Sequence, residues 1–306
     1  MGGLSLLSTI DSMKGENIVC FGEILWDNLK EGRRLGGAPL NVCYHLNKLG
    51  VNSTIVTQVG SDPNGMDILK ELKTLGIDSR YCTVNGTKPT STVEVVVGEQ
   101  GDIRYDIVED VAWDDIVCTP HVEHLVADSD ALVFGSLVTR SAISRETLFQ
   151  LIKKSKFRVF DVNLRSPFYT KELICSLLEM ANLLKLNEEE MVIISDWLAF
   201  PQETLHEQME HMQRCFPNIQ EIILTRGSQG AIYFSDTERL KVKAHPVRVQ
   251  DTVGSGDAFL AAFLAYKMKG TSIQTALQQA SVLSSFVASQ SGACPIYDPK
   301  DLLTIG

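Results

Sequence analysis

No stretch of this chain is apolar for long enough to span a bilayer. The briefly apolar run at residues 4–10 is too short, and no basic residue precedes it. Basic clusters are missing too. The chain carries 28 Lys and Arg against 38 Asp and Glu, a formal charge of −10. That argues against a nucleic-acid or anionic-membrane surface, since either requires a basic patch. It leaves a phosphate ligand open, because phosphates are commonly held by local backbone donors. No C-x-x-C occurs. The seven cysteines, at positions 20, 43, 82, 118, 175, 215 and 294, are scattered, which fits thiols in a reducing cytoplasm better than a disulfide frame or zinc site. His121 and His124 form H-x-x-H without a cysteine or third histidine nearby, so no metal site is read there. Repeats, low-complexity tracts and proline-rich linkers are also absent. Residues 1–14 are expected to be a disordered extension, and 15–306 one α/β domain.

What is present is alternation. Short β-branched apolar runs at residues 17–21, 53–59, 131–134, 158–162, 183–186 and 221–225 read as buried strands. Helical patterns fall between them, at residues 41–49, 66–75, 144–155 and 188–195. Near-continuous apolar strands alternating with helices predict a parallel sheet covered on both faces. One stretch breaks the rhythm. Val93, Val95 and Val97 alternate, residues 98–101 read as a turn, and Ile103, Tyr105 and Ile107 alternate again. This amphipathic hairpin must cover something, either a partner subunit or a substrate site.

The sharpest motif is Asp251-Thr-Val-Gly254-Ser255-Gly256-Asp257 at the head of a long apolar helical run. Glycines let the backbone approach a ligand, and a helix start offers unpaired N–H groups and a positive dipole end. Together they form an anion hole suited to a phosphate. Asp257 in that first turn has two readings: a carboxylate that complements the dipole, or a base beside a phosphate cradle. No Walker-type loop is present. Gly254–Gly256 lacks the third glycine of the dinucleotide fingerprint, and no G-x-S-x-G nucleophile elbow occurs. A second glycine pair, Gly36-Gly37, opens another helix with Asn41 in it. It reads as a structural turn or as a close approach to a polar molecule, Asn41 supplying a donor and an acceptor.

In order and spacing these motifs resemble the ribokinase-like, or PfkB, family of carbohydrate kinases over about residues 17–300. The N-terminal signature is G-G-A-P-L-N-V-x-x-x-L-x-x-L-G at 36–50, preceded by Gly22-Glu23 and Asp27. The C-terminal one is D-T-V-G-S-G-D-A-F at 251–259. Between them lie Gly60-Ser-Asp62-x-x-Gly65, Asp161-Val-Asn163-Leu-Arg165, Asn187-Glu-Glu-Glu190 and Thr225-Arg-Gly227.

The resemblance implies a three-layer α/β/α fold with a mostly parallel sheet and a small β-sheet lid drawn from about 23–36 and 91–109. It implies ATP-dependent phosphorylation of a sugar hydroxyl, with Asp257 as base and the backbone of Val253 to Gly256 stabilising the transferred phosphoryl charge. Asp27, Gly36, Gly37, Asn41 and Arg165 would bind the sugar. Asn187, Thr225, Gly227, Gly254 and Gly256 would bind the nucleotide, with residues 282–292 bordering adenine. Glu190 with Asn187 would organise Mg²⁺ through water, and Asp251 would belong to a K⁺ site.

Fructose is the expected acceptor, with 2-keto-3-deoxygluconate or ribose as alternatives. A keto acid would need a cation from Arg33, Arg34, Arg104 or Arg165, whereas pairing with Asp161 is the purely structural reading of Arg165. A non-catalytic sugar-binding regulator is the reading from another class; it would more often lack Asp257 or an anion-hole glycine. A cytoplasmic location and a homodimer through the lid are further expectations, with no nucleic-acid or membrane partner.

Overall fold

The computed structural model describes residues 17–29, 32–97, 103–200 and 204–304. The expected disordered extension at 1–14 and the turn at 98–101 lie outside them. The strands are β1 (Asn17–Phe21), β2 (Leu25–Leu29), β3 (Gly32–Gly36), β4 (Asn52–Gly60), β5 (Cys82–Asn85), β6 (Thr92–Val97), β7 (Ile103–Ile107), β8 (Ala131–Gly135), β9 (Arg158–Asp161), β10 (Leu183–Asn187), β11 (Glu221–Thr225), β12 (Ala231–Ser235) and β13 (Arg239–Val242). The helices are α1 (Ala38–Lys48), α2 (Pro63–Thr74), α3 (Pro120–Asp128), α4 (Ala142–Ile152), α5 (Lys171–Leu178), α6 (Glu188–Trp197), α7 (Leu205–Cys215), α8 (Ser255–Met268) and α9 (Ile273–Ala288).

Nine strands form the main sheet in the order β13-β12-β11-β10-β9-β8-β1-β4-β5. From β11 to β5 every pairing is parallel, while β12 and β13 run antiparallel at one edge. Apart from the edge strand β5, the parallel strands are largely buried on both sides, which is why they read as continuous apolar runs. One core joins α1, α2, α8 and α9 to one face of the sheet. The other joins α3, α4, α5, α6 and α7 to the opposite face, where Phe134 stacks on Phe160 at 5.4 Å. This is the expected three-layer α/β/α arrangement. Helix α8 is buried from Asp257 to Ala265, which explains an apolar sequence with no polar stripe.

A separate four-stranded sheet has the order β3-β2-β6-β7. Its hairpin register pairs Val93 with Ile107, Val95 with Tyr105 and Val97 with Ile103, as the two alternating runs require. Asp62 ties this sheet to the body. It caps α2 through the Gly65 N–H at 2.8 Å and accepts from the Thr90 N–H and hydroxyl, both at 2.7 Å, just before β6. Among the described residues no helix is long and apolar enough to cross a membrane, and no group of three or more His, Cys, Asp or Glu could hold a metal ion.

Candidate active site

A cleft of about 1410 Å³ opens at the carboxyl ends of the parallel strands, beneath the second sheet. Single small-molecule pockets span roughly 300–1,000 Å³, so this one has room for two ligands. Glu23 follows β1, Asn163 and Arg165 follow β9, Asn187 ends β10 and Thr225 ends β11; all five line it. Strand β1 lies between β4 and β8, so the strand order reverses there. Open α/β sheets bind ligands at such a switch point.

Asp257 is the third residue of α8 and is 9% exposed. Its Oδ2 accepts a hydrogen bond from Asn41 Nδ2 at 2.8 Å, so the two glycine motifs meet at one contact. Burial lifts its pKa to about 6, against the Lys185 charge and the Asn41 hydrogen bond, while Asp161 adds repulsion. Gly254 caps α8 at φ +76°, and a Cβ there would collide with Ala293. Loop amides are already partly committed: Val253 N–H donates to Asp251 Oδ1 at 2.9 Å and Ser255 N–H to the Thr252 carbonyl at 3.2 Å. The N–H groups of the first turn of α8, Gly256 and Asp257 among them, are those a helix leaves without internal partners.

At the other end, Asp27 on β2 faces Arg34 on β3 in register, and both line the cleft with Val93 and Ile107. Burial raises the Asp27 pKa to about 6, opposed by Arg165. Gly36 is required because a Cβ there would meet the Asp27 carboxylate, and Gly37 because it holds φ +117° and a Cβ there would collide with the Glu23 carbonyl. Arg33, one step from Arg34, points elsewhere. It pairs with Asp67 at 2.5 Å, donates to Asn64 at 3.2 Å and stacks on Trp26 at 4.4 Å. The side chain of Arg104 lies outside the described residues. Arg34 Nη2 reaches Ser291 Oγ at 3.1 Å, linking the small sheet to the loop after α9.

Arg165 lines the cleft and donates to the Leu164 carbonyl at 3.0 Å. The purely structural pairing of Arg165 with Asp161 does not occur. Asp161 is held instead by Lys185 Nζ, at 2.9 and 2.8 Å, a pair buried between β9 and β10. Burial disfavours the Lys185 charge, yet Asp161, Asp257 and Glu190 outweigh it and raise its pKa. A Cβ on Gly256 would lie 3.0 Å from Lys185 Nζ, so this ammonium sits directly beneath the glycine loop.

Asn187, Thr225 and Gly227 line the cleft together with Ser284 and Ser291, but Glu190 does not. Asn187 and Glu190 form a capping box: Asn187 Oδ1 accepts from Glu190 N–H and Glu190 Oε2 from Asn187 N–H, both at 2.9 Å. Glu190 Oε1 accepts the Leu164 N–H at 2.9 Å. Asp251 is likewise a brace, its oxygens taking the Val253 and Gly292 amides. Sequence reasoning assigned no role to Glu23, nor to Lys185 or the wall from Ala244 to Gln250. Charged residues inside apolar strand-like runs were the available signal for the first two.

A cleft beneath a small second sheet, at the switch point of a three-layer α/β/α fold, with an aspartate at a glycine-capped helix start, defines a small-molecule phosphotransferase architecture. The model of the pfkB family of carbohydrate kinases matches residues 15–300, and the chain belongs to that family. A fructokinase of Salmonella typhimurium is 31% identical over 249 residues, covering 77% of this chain and 78% of that protein. The solved fructokinase of Xylella fastidiosa with bound ATP aligns at TM-score 0.84 and 21% identity, over 95% of this chain and 98% of the other. A double mutant of Vibrio cholerae fructokinase, solved with fructose, ADP and potassium ion bound, aligns at 0.79 and 20% identity over 95% and 98%. The two structures share the fold with this chain.

Proposed function

We propose that this sugar kinase transfers the terminal phosphoryl group of ATP to a hydroxyl of fructose. The observation that carries the reading is the position of Asp257. It lies buried at the start of α8, joined to Asn41, where the half of the cleft under the small sheet meets the half walled by Thr225, Gly227 and Ser284. Asp257 takes the proton of the sugar hydroxyl. The hydroxyl oxygen bonds to the terminal phosphorus, the bond from that phosphorus to its bridging oxygen breaks, and the electron pair leaves with ADP. First-turn amides of α8 and the Lys185 ammonium face the charge that builds on the phosphoryl oxygens. Asp27, Arg34 and Asn41 orient the sugar, with the small sheet as a lid that excludes water.

Mg²⁺ when bound neutralises phosphate charge. Both Glu190 oxygens already accept amides, so the residues fit an ion held through water near Asn187 rather than a direct carboxylate ligand. Asp251 in the same way supports a potassium site by bracing its loop. Support for fructose comes from the 31% identical fructokinase. A second reading, 2-keto-3-deoxygluconate, is favoured by Arg34 and Arg165 on the cleft wall, two guanidiniums that would receive a carboxylate.

An ADP-release assay at saturating MgATP with fructose, 2-keto-3-deoxygluconate and ribose tests the assignment. Turnover on fructose is expected. Turnover on the keto acid alone overturns fructose and makes Arg34 and Arg165 the carboxylate partners. Folded protein silent on every sugar overturns the kinase assignment for this chain.

A further inference from the structure

Seven buried side-chain atoms among the described residues have no hydrogen-bond partner, and of these only Glu23 Oε2 belongs to a residue that lines the cleft. Glu23 is 2% exposed. It leaves β1 at the switch point, and its backbone carbonyl is pinned against Gly37, the N-cap of α1. The N–H groups of Glu23 itself and of Ala38, the first residue of α1, act as donors that lower the pKa of its carboxyl, and Arg165 and Asp257 are its charged neighbours. The group is therefore fixed at a helix N-terminus with an acceptor oxygen left over.

Leaving such an oxygen unmet is unfavourable, and native proteins keep few of them. The partner it lacks must donate a hydrogen bond, and must be neutral or cationic, since Asp27 and Asp257 share the same cavity. Arg165 already supplies a cation. What remains is a neutral donor brought by the ligand, and a sugar offers several. We propose that Glu23 is a specificity-determining residue whose Oε2 accepts a hydrogen bond from a hydroxyl of the acceptor sugar other than the one that is phosphorylated. The inference rests on the sugar occupying the lid half of the cleft.

The test crosses variants with substrates. Wild type and Glu23→Ala are assayed on the sugar that the wild type turns over and on each of its monodeoxy analogues, with KM measured for sugar and ATP. At pH 8, above the value of about 7 to which burial lifts Glu23, Glu23→Ala should lower kcat/KM for the parent sugar by ~10- to 100-fold, the loss expected for a hydrogen bond to a charged group, and leave the KM for ATP unchanged. One analogue should show a similar loss with wild type and no further loss with the variant. Glu23→Gln, which keeps the volume and the anchor to α1, should single out the same analogue with a smaller loss.

Equal losses on every analogue, or a parallel rise in the KM for ATP, would overturn the proposal and leave Glu23 as a brace solvated by water. A wild type that prefers the keto acid overturns fructose but not this inference, because the cycle is run on the preferred sugar. An active wild type with an unchanged Glu23→Ala overturns this inference alone. A wild type inactive on every sugar overturns both.

Discussion

Asn41 Nδ2 donates to Asp257 Oδ2 at 2.8 Å, across 216 positions of sequence. This bond joins the first turns of α1 and α8, the two helices opened by glycine. Asn41 also fixes the rotamer of the carboxylate, so one Asp257 oxygen is held while the group faces the cleft. Cys294 Sγ lies 3.4 Å from Asn41 Oδ1, on the other side of the amide. With that weak donor on its oxygen, the amide nitrogen is the end turned to Asp257.

Asp257→Asn should keep this contact, since a side-chain amide oxygen still accepts from Asn41. The variant should fold with an unchanged melting temperature or a higher one, because a buried carboxylate is removed. Turnover should fall by ~10²- to 10⁴-fold, the usual contribution of a general base, with little change in sugar KM. A kcat within tenfold of wild type would refute Asp257 as the base.

The base must be deprotonated to act, so kcat/KM should climb with pH and level off above about 6, the value to which burial pushes Asp257. Lys185 opposes that shift. Removing its charge should move the ascending limb to higher pH. Lys185→Met alone would strand Asp161 as a buried unpaired charge, at a cost of ~3–5 kcal/mol. The double variant Lys185→Met with Asp161→Asn avoids that, and its pH profile is the one to measure. Asp161 repels Asp257, so its loss alone lowers the limb, and the double variant is therefore read against Asp161→Asn. A limb no higher in the double variant than in Asp161→Asn would mean that Lys185 does not act on the base.

Much of this was legible in local sequence, for a physical reason. Glycine at a helix start declares its backbone requirement without reference to anything distant, so both signatures could be anticipated, whereas the contact of Asn41 with Asp257 across 216 positions could not. The parallel strands were legible because burial on both faces forces continuous apolar runs. Strands β12 and β13 were not, since no helix separates them from β11 to set the rhythm. Arg33 and Arg34 are adjacent in sequence and differ only in which face of β3 they leave, and the register of Asp27 against Arg34 decides that. The Lys185–Asp161 pair depends on β9 and β10 being neighbours, which no local pattern states.

Asp62 tests the connection between the body and the small sheet. Partial burial raises its pKa, but the Thr90 and Gly65 donors outweigh this and hold it below the ordinary carboxylate value. Asp62→Ala removes the α2 cap and both anchors of Thr90, whose hydroxyl also accepts the Gly60 N–H at 2.9 Å. Stability should fall by ~1–3 kcal/mol in urea unfolding. If the small sheet closes over the sugar, sugar KM should rise more than ATP KM. Parallel changes in both would show that Asp62 serves the fold alone.

Glu23 gives a stability signature independent of activity. Burial lifts its pKa from 4.5 to about 7, helped by Asp257 and opposed by its backbone donors and Arg165. The folded state therefore holds a proton that the unfolded chain releases near 4.5. That contribution is fully present below pH 4.5 and is lost as pH rises through about 7. By pH 8 the folded state has lost on the order of 3 kcal/mol relative to a group that does not titrate. Glu23→Gln cannot titrate, so its melting temperature relative to wild type should rise between pH 5 and pH 8. A difference independent of pH across that interval would mean that Glu23 is ionised throughout, with Arg165 compensating it fully.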